Sequence, residues 1–98
     1  MKTFEKIYQV VATIPSGKVS TYKMIADLAQ TTPRVVGFAM RINKNTKTVP
    51  CHRVVGIHGD LKGYAFGGVN KKRKMLIKEG VSFKNQETVD LLRSAFSF

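Results

Sequence analysis

The stretch TVPCHRVVG, residues 48–56, holds the single cysteine of the chain directly before a histidine. A thiol acts as a nucleophile only as thiolate, which near neutral pH requires a neighbouring base or positive charge. His52 and Arg53 offer such groups beside Cys51, although neighbours on an extended strand point to opposite faces. The alternative is a structural cysteine, because a free thiol packs as a small hydrophobe. These residues alone leave both interpretations open.

Metal binding and nucleotide hydrolysis find no support in the residue pattern. One cysteine and two histidines, His52 and His58, cannot complete a closed zinc site without carboxylates, and neither C-x-x-C nor H-x-x-x-H spacing occurs. The glycines of residues 59–68 do not form the phosphate-binding pattern G-x-x-x-x-G-K-[ST]. We therefore expect no metal and no cofactor.

Composition bounds the class of protein. A chain of 98 residues with 43% hydrophobic content predicts one globular domain over residues 1–98, and no apolar run approaches a membrane span of roughly 20 residues. The lone cysteine cannot form an internal disulfide, which favours a reducing, intracellular compartment. Seventeen Lys and Arg against six Asp and Glu give a net charge of +11, which attracts polyanions. Nucleic acid is the expected partner, and an anionic membrane surface is the alternative.

The first half of the chain predicts three helices. Apolar residues recur at helical spacing after Thr3, a candidate N-cap, and the pattern stops at the proline and glycine of residues 15–17. A second helix begins after Ser20 or Thr21. A third has Thr32 as its N-cap and Pro33 at its first position, and extends to about Asn43. The last two helices predict a helix-turn-helix with the third as recognition helix.

The second half is predicted to be more irregular. Residues 49–57 suggest a hairpin or wing, and the glycine-rich residues 61–70 suggest a loop close to a ligand. A basic helix then runs from Val69 or Asn70 to about Glu79, closed by Gly80. Apolar residues within 82–98 indicate a last helix without chemistry. The predicted fold class is mainly α with a small β wing, a winged-helix-like DNA-binding domain.

Five blocks, in this order, resemble one known family. IPSGKVSTYKMIADLA, PRVVGFAMRIN, VPCHRVV, GYAFGG and KEGV together span roughly residues 4–81 and resemble the O6-alkylguanine-DNA alkyltransferases, also called methylated-DNA–protein-cysteine methyltransferases. The resemblance implies the C-terminal catalytic domain of that family without its usual N-terminal domain. Residues 82–98 form a tail beyond it.

The resemblance implies a role for each residue of the reacting centre. Cys51 corresponds to the thiol that takes the alkyl group from guanine O6, irreversibly and once per molecule. His52 would be its base through a water, and Glu79 would orient the histidine. Tyr22 would contact the flipped base and help to protonate the departing guanine. Without the resemblance, Glu79 is a solvated acid and Tyr22 an aromatic residue at a helix start.

The resemblance also implies a DNA-binding surface on the recognition helix. Arg34 corresponds to an arginine finger that enters from the minor groove and fills the space of the extruded nucleotide; otherwise it is one of many phosphate-binding cations. Phe38 replaces a residue that is often small. The remaining implied DNA contacts are Tyr22, Thr32, Pro33, Val35, Gly37 and Arg41.

The base pocket is implied by a separate set of residues. Backbone groups of Cys51 and Val54 and the segment Tyr64–Ala65 would close it. Asn43 would tie the end of the recognition helix to the cysteine turn, unless it is only a helix C-cap.

The resulting functional prediction is a single-turnover, monomeric DNA repair methyltransferase acting on O6-alkylguanine in double-stranded DNA by base flipping. The alternative is an alkyltransferase-like sensor, which flips the lesion without transfer and recruits other repair proteins. Such sensors usually lack the cysteine that this chain has. A generic winged-helix protein with a structural thiol is the third possibility.

Overall fold

The computed structural model describes residues 2–61 and 63–98. Those ranges form a mainly helical structure with two small sheets, which confirms the predicted fold class. The helices are α1 (Thr3–Ala12), α2 (Tyr22–Ala29), α3 (Pro33–Arg41), α4 (Gly68–Lys78) and α5 (Leu91–Ser94), and a 3-10 turn covers Cys51–Arg53. The strands are β1 (Ser20–Thr21), β2 (Val54–Val55), β3 (Phe83–Asn85) and β4 (Thr88–Val89).

Helices α2 and α3 form the predicted helix-turn-helix, and side-chain caps define both starts. The Thr21 hydroxyl accepts a hydrogen bond from the backbone N–H of Met24 at 3.1 Å. The Thr32 hydroxyl accepts one from the N–H of Val35 at 3.3 Å, and Pro33 occupies the first turn. Each cap satisfies a donor that the helix itself leaves unpaired.

The first helix departs from the prediction at its start. Lys2 is the N-cap of α1 and makes no side-chain capping bond, so the expected cap at Thr3 is wrong, and Thr3 is already helical. The helix ends at Ala12, yet Ile14 is still buried because the following turn folds back on the core. Helix α3 ends at Arg41, two residues earlier than predicted.

The hairpin predicted over residues 49–57 is wrong. Strand β2 instead pairs in parallel with β1, with Ser20 opposite Val54 and Thr21 opposite Val55. Both valines are fully buried, so this strand has no polar face to present to solvent as a wing would. The pairing brings the start of α2 beside the cysteine turn.

The last helix predicted within residues 82–98 is confirmed only in part. Strands β3 and β4 form an antiparallel hairpin there, and only the single turn α5 is helical. Asn85 explains the hairpin, because its side chain accepts a hydrogen bond from the N–H of Glu87 at 2.9 Å and favours a turn. The end of the chain then pairs with Val19 through its backbone to Ser94 and Phe96.

Two apolar clusters hold these elements together. The larger lies among α1, α2 and α3 and includes Val54 and Cys51, whereas the smaller includes Val19, Val55 and Leu76. Adjacent residues of a strand face opposite sides, so β2 sends one valine into each cluster. The site therefore rests on a strand that is anchored on both faces.

Helix α4 carries the remaining site residue at its C-terminal end. Glu79 is its C-cap, and Gly80 follows with a φ of 90°. The N–H of Gly80 donates to the carbonyl of Ile77, and the N–H of Val81 donates to that of Leu76. A glycine with positive φ after a helix permits this pair of hydrogen bonds. Gly80 thus closes the helix as predicted. No helix in the described part of the chain is long and apolar enough to cross a membrane.

Candidate active site

Cys51 lies at the first position of the 3-10 turn, with only 3% of its surface exposed. Its backbone N–H donates to the carbonyl of Val49 at 2.8 Å, which fixes the turn. The residue belongs to the larger apolar cluster and also lines a cavity of about 750 Å³, called here the thiol cavity. A packed cysteine would not need access to a cavity, so this placement favours a reactive thiol.

Asn43 holds the loop that leads into this turn. Its side-chain amide donates to the carbonyl of Val49 at 2.9 Å and accepts from the N–H of Asn45 at 3.0 Å. The residue is only 4% exposed. Asn43 therefore ties the end of α3 to the cysteine turn rather than capping the helix alone, but it is not among the residues that line the thiol cavity.

His52 and Glu79 are in direct contact although 27 residues separate them. Nε2 of the buried imidazole lies 2.9 Å from Oε2 of the carboxylate. An ionised carboxylate can only accept, so Nε2 carries the proton and Nδ1 keeps the lone pair. Nδ1 is buried and has no hydrogen-bond partner within the described residues. The ring is thus oriented as a base through Nδ1.

Arg53 forms hydrogen bonds with Glu79. Its guanidinium donates from Nε to Oε1 at 3.0 Å and from Nη2 to Oε2 at 2.8 Å, a bidentate pair. Nη1 donates to the carbonyl of Ile14 at 2.8 Å. Arg53 therefore fixes the carboxylate from one side and ties the turn after α1 to the site.

Burial decides the protonation of the resting site. Desolvation raises the pKa of the Cys51 thiol, against opposing effects of the Asn43 side chain, the residue's own backbone and the Lys72 charge. Desolvation also lowers the pKa of His52, although Glu79 opposes it. Burial alone would raise the pKa of Glu79, but the hydrogen bonds from Arg53 and His52 outweigh it, so the net pKa is lowered. In the resting site the Cys51 thiol and the His52 imidazole are therefore neutral, and the Glu79 carboxylate is ionised.

Lys72 is a site residue that the sequence interpretation missed. It lies on α4 with 1% exposure, and its ammonium sits 5.8 Å from the ring centroid of Tyr22. Desolvation lowers its pKa to about 8, while the charges of Cys51 and Asp60 oppose that shift. Its spacing in the sequence could have indicated burial, because Lys72 shares one helical face with Leu76 and Glu79. A buried cation beside the thiol favours the thiolate.

Tyr22 begins α2 and lines the thiol cavity. Burial, with the nearby charges of Cys51 and Asp60, raises its pKa to about 12. Its hydroxyl therefore stays protonated across the physiological range and can donate a hydrogen bond to a bound base.

The walls of the thiol cavity come from three segments. The helix-turn-helix, the cysteine turn and the loops after β2 each contribute lining residues. The lining residues are Tyr22, Lys23, Pro33, Arg34, Gly37, Met40, Arg41, Cys51, Gly56, Ile57, Gly63, Tyr64 and Ala65. Of the implied pocket residues, Tyr64 and Ala65 line it, whereas the Val54 side chain is fully buried in the core. No group of three His, Cys, Asp or Glu within residues 2–61 and 63–98 is arranged to hold a metal.

A second depression of about 580 Å³, called here the α3 groove, lies on the other side of the recognition helix. Arg34, Gly37 and Arg41 line both depressions, and Val35 and Phe38 face only this one. Thr32 lines neither, because its hydroxyl caps α3. All the implied DNA contacts except Thr32 therefore line one or both of these depressions.

The helix-turn-helix, with a cavity lined by its recognition helix and by the buried Cys51 thiol, places the chain in the class of helix-turn-helix DNA-binding domains. The family model "6-O-methylguanine DNA methyltransferase, DNA binding domain" matches residues 2–81. The chain belongs to this family, as the resemblance in its sequence predicted.

Individual relatives agree with that assignment. A methylated-DNA–protein-cysteine methyltransferase of Saccharolobus islandicus is 47% identical over 75 residues, 76% of this chain and 48% of the relative. The crystal structure of S. pombe Atl1 with damaged DNA containing O6-carboxymethylguanine is similar over 100% of both chains, with a TM-score of 0.85 and 28% identity. Mycobacterium tuberculosis OGT in complex with DNA gives a TM-score of 0.75 and 38% identity over 82% of this chain and 50% of its own. The chain spans about half the length of the curated relatives that it matches.

Proposed function

We propose that this protein repairs O6-alkylguanine in duplex DNA by transferring the alkyl group to Sγ of Cys51. The observation that carries the proposal is that Cys51 lines the thiol cavity directly before His52 in the chain, and that the His52 ring contacts Glu79. The methyltransferases among its relatives support the reaction class. The cavity of about 750 Å³ accepts a whole extruded base with its adduct.

The transfer is a single displacement. As the Cys51 sulfur forms a bond to the alkyl carbon, the bond between that carbon and guanine O6 breaks and its electron pair stays on the base. The thiol proton passes to Nδ1 of His52, directly or through one bridging water, and Glu79 stabilises the resulting imidazolium. The departing guanine anion takes up one proton from solvent water while the Tyr22 hydroxyl donates a hydrogen bond to it, and the His52 imidazolium returns the thiol proton to solvent. The product is a thioether, so each molecule acts once.

The same proposal assigns duplex DNA to the face that carries α3. Arg34 and Arg41 are exposed there, and the net charge of +11 draws the domain to phosphates. Two structural relatives were solved with DNA, one of them with O6-carboxymethylguanine, which supports this partner. Residues 82–98 pack against Val19 and belong to the same monomeric domain in this proposal.

Intact-protein mass spectrometry tests the chemistry directly. After incubation with duplex DNA containing O6-methylguanine, the protein should gain the mass of one methyl group at Cys51, and Cys51→Ser should gain none. Methylation that persists in Cys51→Ser, or more than one turnover per molecule, would refute the mechanism.

Base flipping by Arg34 has a separate test. Arg34→Ala should slow alkylation by duplex DNA far more than alkylation by free O6-benzylguanine, because only the duplex must be unstacked. Lys84→Ala, on the exposed hairpin strand β3, is the matched control. Equal losses on both substrates would contradict the assignment.

A second candidate function is lesion recognition without transfer. The observation in its favour is that the likeness to S. pombe Atl1 with damaged DNA covers this chain from end to end, whereas the likeness to M. tuberculosis OGT covers 82% of it. Tight binding of the O6-methylguanine duplex with no change in protein mass would identify this function and replace the first proposal.

A further inference from the structure

Phe38 is an exposed aromatic residue on the DNA-facing side of α3. Its side chain is 46% exposed, which is unusual for a phenylalanine in the middle of a helix. Two neighbours nevertheless fix its ring. The Phe4 ring of α1 lies 5.9 Å away between centroids, and the Arg41 guanidinium lies over the ring at 5.5 Å. The ring is therefore held at the surface instead of folding into the core.

The position of Phe38 relative to Arg34 sets where it meets DNA. The two residues are four positions apart, so they share one helical face with a rise of about 6 Å between them. Successive nucleotides on one DNA strand are about 3.4 Å apart along the axis. The ring therefore stands about two base-pair steps from the site of Arg34.

The surroundings of the ring match a DNA groove. The α3 groove beside it is lined by Arg34 and Arg41 and, within the described residues, by no carboxylate. Cations at the edge meet phosphates, while an apolar ring between them meets sugars and base edges. Apolar wedges of this kind unstack base steps from the minor groove in many architectural proteins.

We propose that Phe38 is a second wedge, which enters the minor groove about two base-pair steps from the nucleotide replaced by Arg34. This inference rests on the proposed function in one respect, that α3 is the face that binds DNA. Arg41 holds the ring and contacts the adjacent phosphate. The ring opens the neighbouring step and bends the duplex around the flipped base.

The wedge makes repair depend on flanking sequence. Pyrimidine–purine steps such as TA and CA unstack most easily, and G·C-rich steps resist. A flexible step two positions from the lesion should favour binding, even though no side chain reads a base there. Changing the same step on the other side of the lesion should have no effect.

2-Aminopurine fluorescence tests the wedge, because this base brightens when it is unstacked. The probe is placed at each of the three steps on both sides of O6-methylguanine, and the Cys51→Ser protein is used so that the complex persists. The background protein should brighten the probe beside the lesion and the probe two steps away on one side. Adding Phe38→Ala should abolish only the distant signal, and adding Arg34→Ala only the signal at the lesion.

Affinity and a matched control complete the experiment. Phe38→Ala should weaken binding of the lesion duplex about tenfold or more, as expected for the loss of base–aromatic stacking. Ile42→Ala is the control, since Ile42 is similarly exposed at the end of α3 and is not assigned to DNA. Thermal unfolding of each variant verifies that the fold is intact.

The outcomes separate this proposal from the one on which it rests. A distant signal that Phe38→Ala leaves unchanged would overturn the wedge while methyl transfer by the wild-type protein stands. A wild-type protein that neither binds the lesion duplex nor gains mass would overturn both. Fluorescence lost at every position in Phe38→Ala would also overturn the wedge, because the ring would then support the whole face.

Discussion

The Nε2 atom of His52 lies 2.9 Å from Oε2 of Glu79, and Arg53 holds both oxygens of the same carboxylate. Arg53 therefore fixes the carboxylate, and the carboxylate in turn determines which ring nitrogen of His52 is protonated. Because Nε2 carries the proton, only Nδ1 can receive another one from the thiol. Glu79 thus orients His52 although it does not itself line the thiol cavity.

Replacing Glu79 by glutamine should separate orientation from charge. Glu79→Gln keeps the size of the side chain but no longer stabilises the imidazolium, and its amide group faces donors of Arg53 or His52. We expect alkylation of Cys51 by O6-benzylguanine to slow by about 10²-fold, near the lower end of what a general base contributes. The rate of mass gain measures this effect.

Glu87→Gln is the control for this prediction, since Glu87 is exposed in the turn of the β3–β4 hairpin. A rate in Glu79→Gln equal to that of the control would show that the pair is structural only.

The pH dependence of alkylation follows from the two shifted pKa values. Burial lowers the pKa of His52 below its ordinary 6.5 and raises that of the Cys51 thiol above its ordinary 9.0. Protonated His52 cannot accept the thiol proton, so the rate is lost only as pH falls below 6.5. The rate should therefore be independent of pH from 6.5 up to the region where Lys72, whose pKa is about 8, begins to lose its charge. It should decline through that region and increase again where the thiol ionises by itself.

His52→Gln should remove this plateau. The variant depends on free thiolate, whose fraction grows about tenfold per pH unit below the thiol pKa. Stopped-flow rates with O6-benzylguanine, measured from about pH 5 to about pH 10, distinguish the two pH profiles. A wild-type rate that already increases steadily with pH would rule out His52 as the base.

Local signals in the sequence explain why the helix-turn-helix was predictable. Thr21 and Thr32 cap helices through bonds to residues three positions ahead, and Pro33 fixes a backbone angle of its own. Such interactions involve a few neighbouring residues, so one stretch of sequence contains all the information. The candidate catalytic residues were assigned only through the resemblance, because His52 and Glu79 meet only after folding.

Two of the errors involve partners far away in the chain. Val54 and Val55 looked like one strand of a hairpin, but they pair with Ser20 and Thr21, more than 30 residues earlier. Hydrophobic spacing gives the strand but not its partner. Lys72 was missed because a lysine on a basic helix is normally solvated, and only the packing of α4 against the cysteine turn buries it.

The buried charge of Lys72 should accelerate the reaction. Lys72→Met preserves the length and apolar stem of the side chain while it removes the positive charge near the thiol. The pKa of Cys51 should then increase further, and alkylation at neutral pH should slow by roughly tenfold. Iodoacetamide reactivity against pH measures the thiol pKa independently of DNA.

Lys74→Met serves as the matched control, since Lys74 lies two residues away on the exposed side of α4. An unchanged thiol pKa in Lys72→Met would mean that Lys72 acts on Tyr22 or on packing alone.

Replacing Gly37 by alanine should stabilise the protein and at the same time weaken its action on duplex DNA. Gly37 lies inside α3, lines both the thiol cavity and the α3 groove, and an added Cβ would meet no other atom within 4 Å. Gly37→Ala should therefore increase the free energy of unfolding by about 0.5–1 kcal/mol, the usual gain when alanine replaces glycine in a helix. Urea denaturation measures that gain.

The same methyl group stands on the surface that must approach the DNA closely. Gly37→Ala should therefore slow methyl transfer from duplex DNA by about tenfold, since small displacements of reacting groups are costly. The gain in stability is its own control, because it excludes misfolding as the cause of the slower reaction. If the variant is more stable and repairs duplex DNA at the wild-type rate, this part of α3 does not face the duplex, and the placement of DNA against the recognition helix has to be revised.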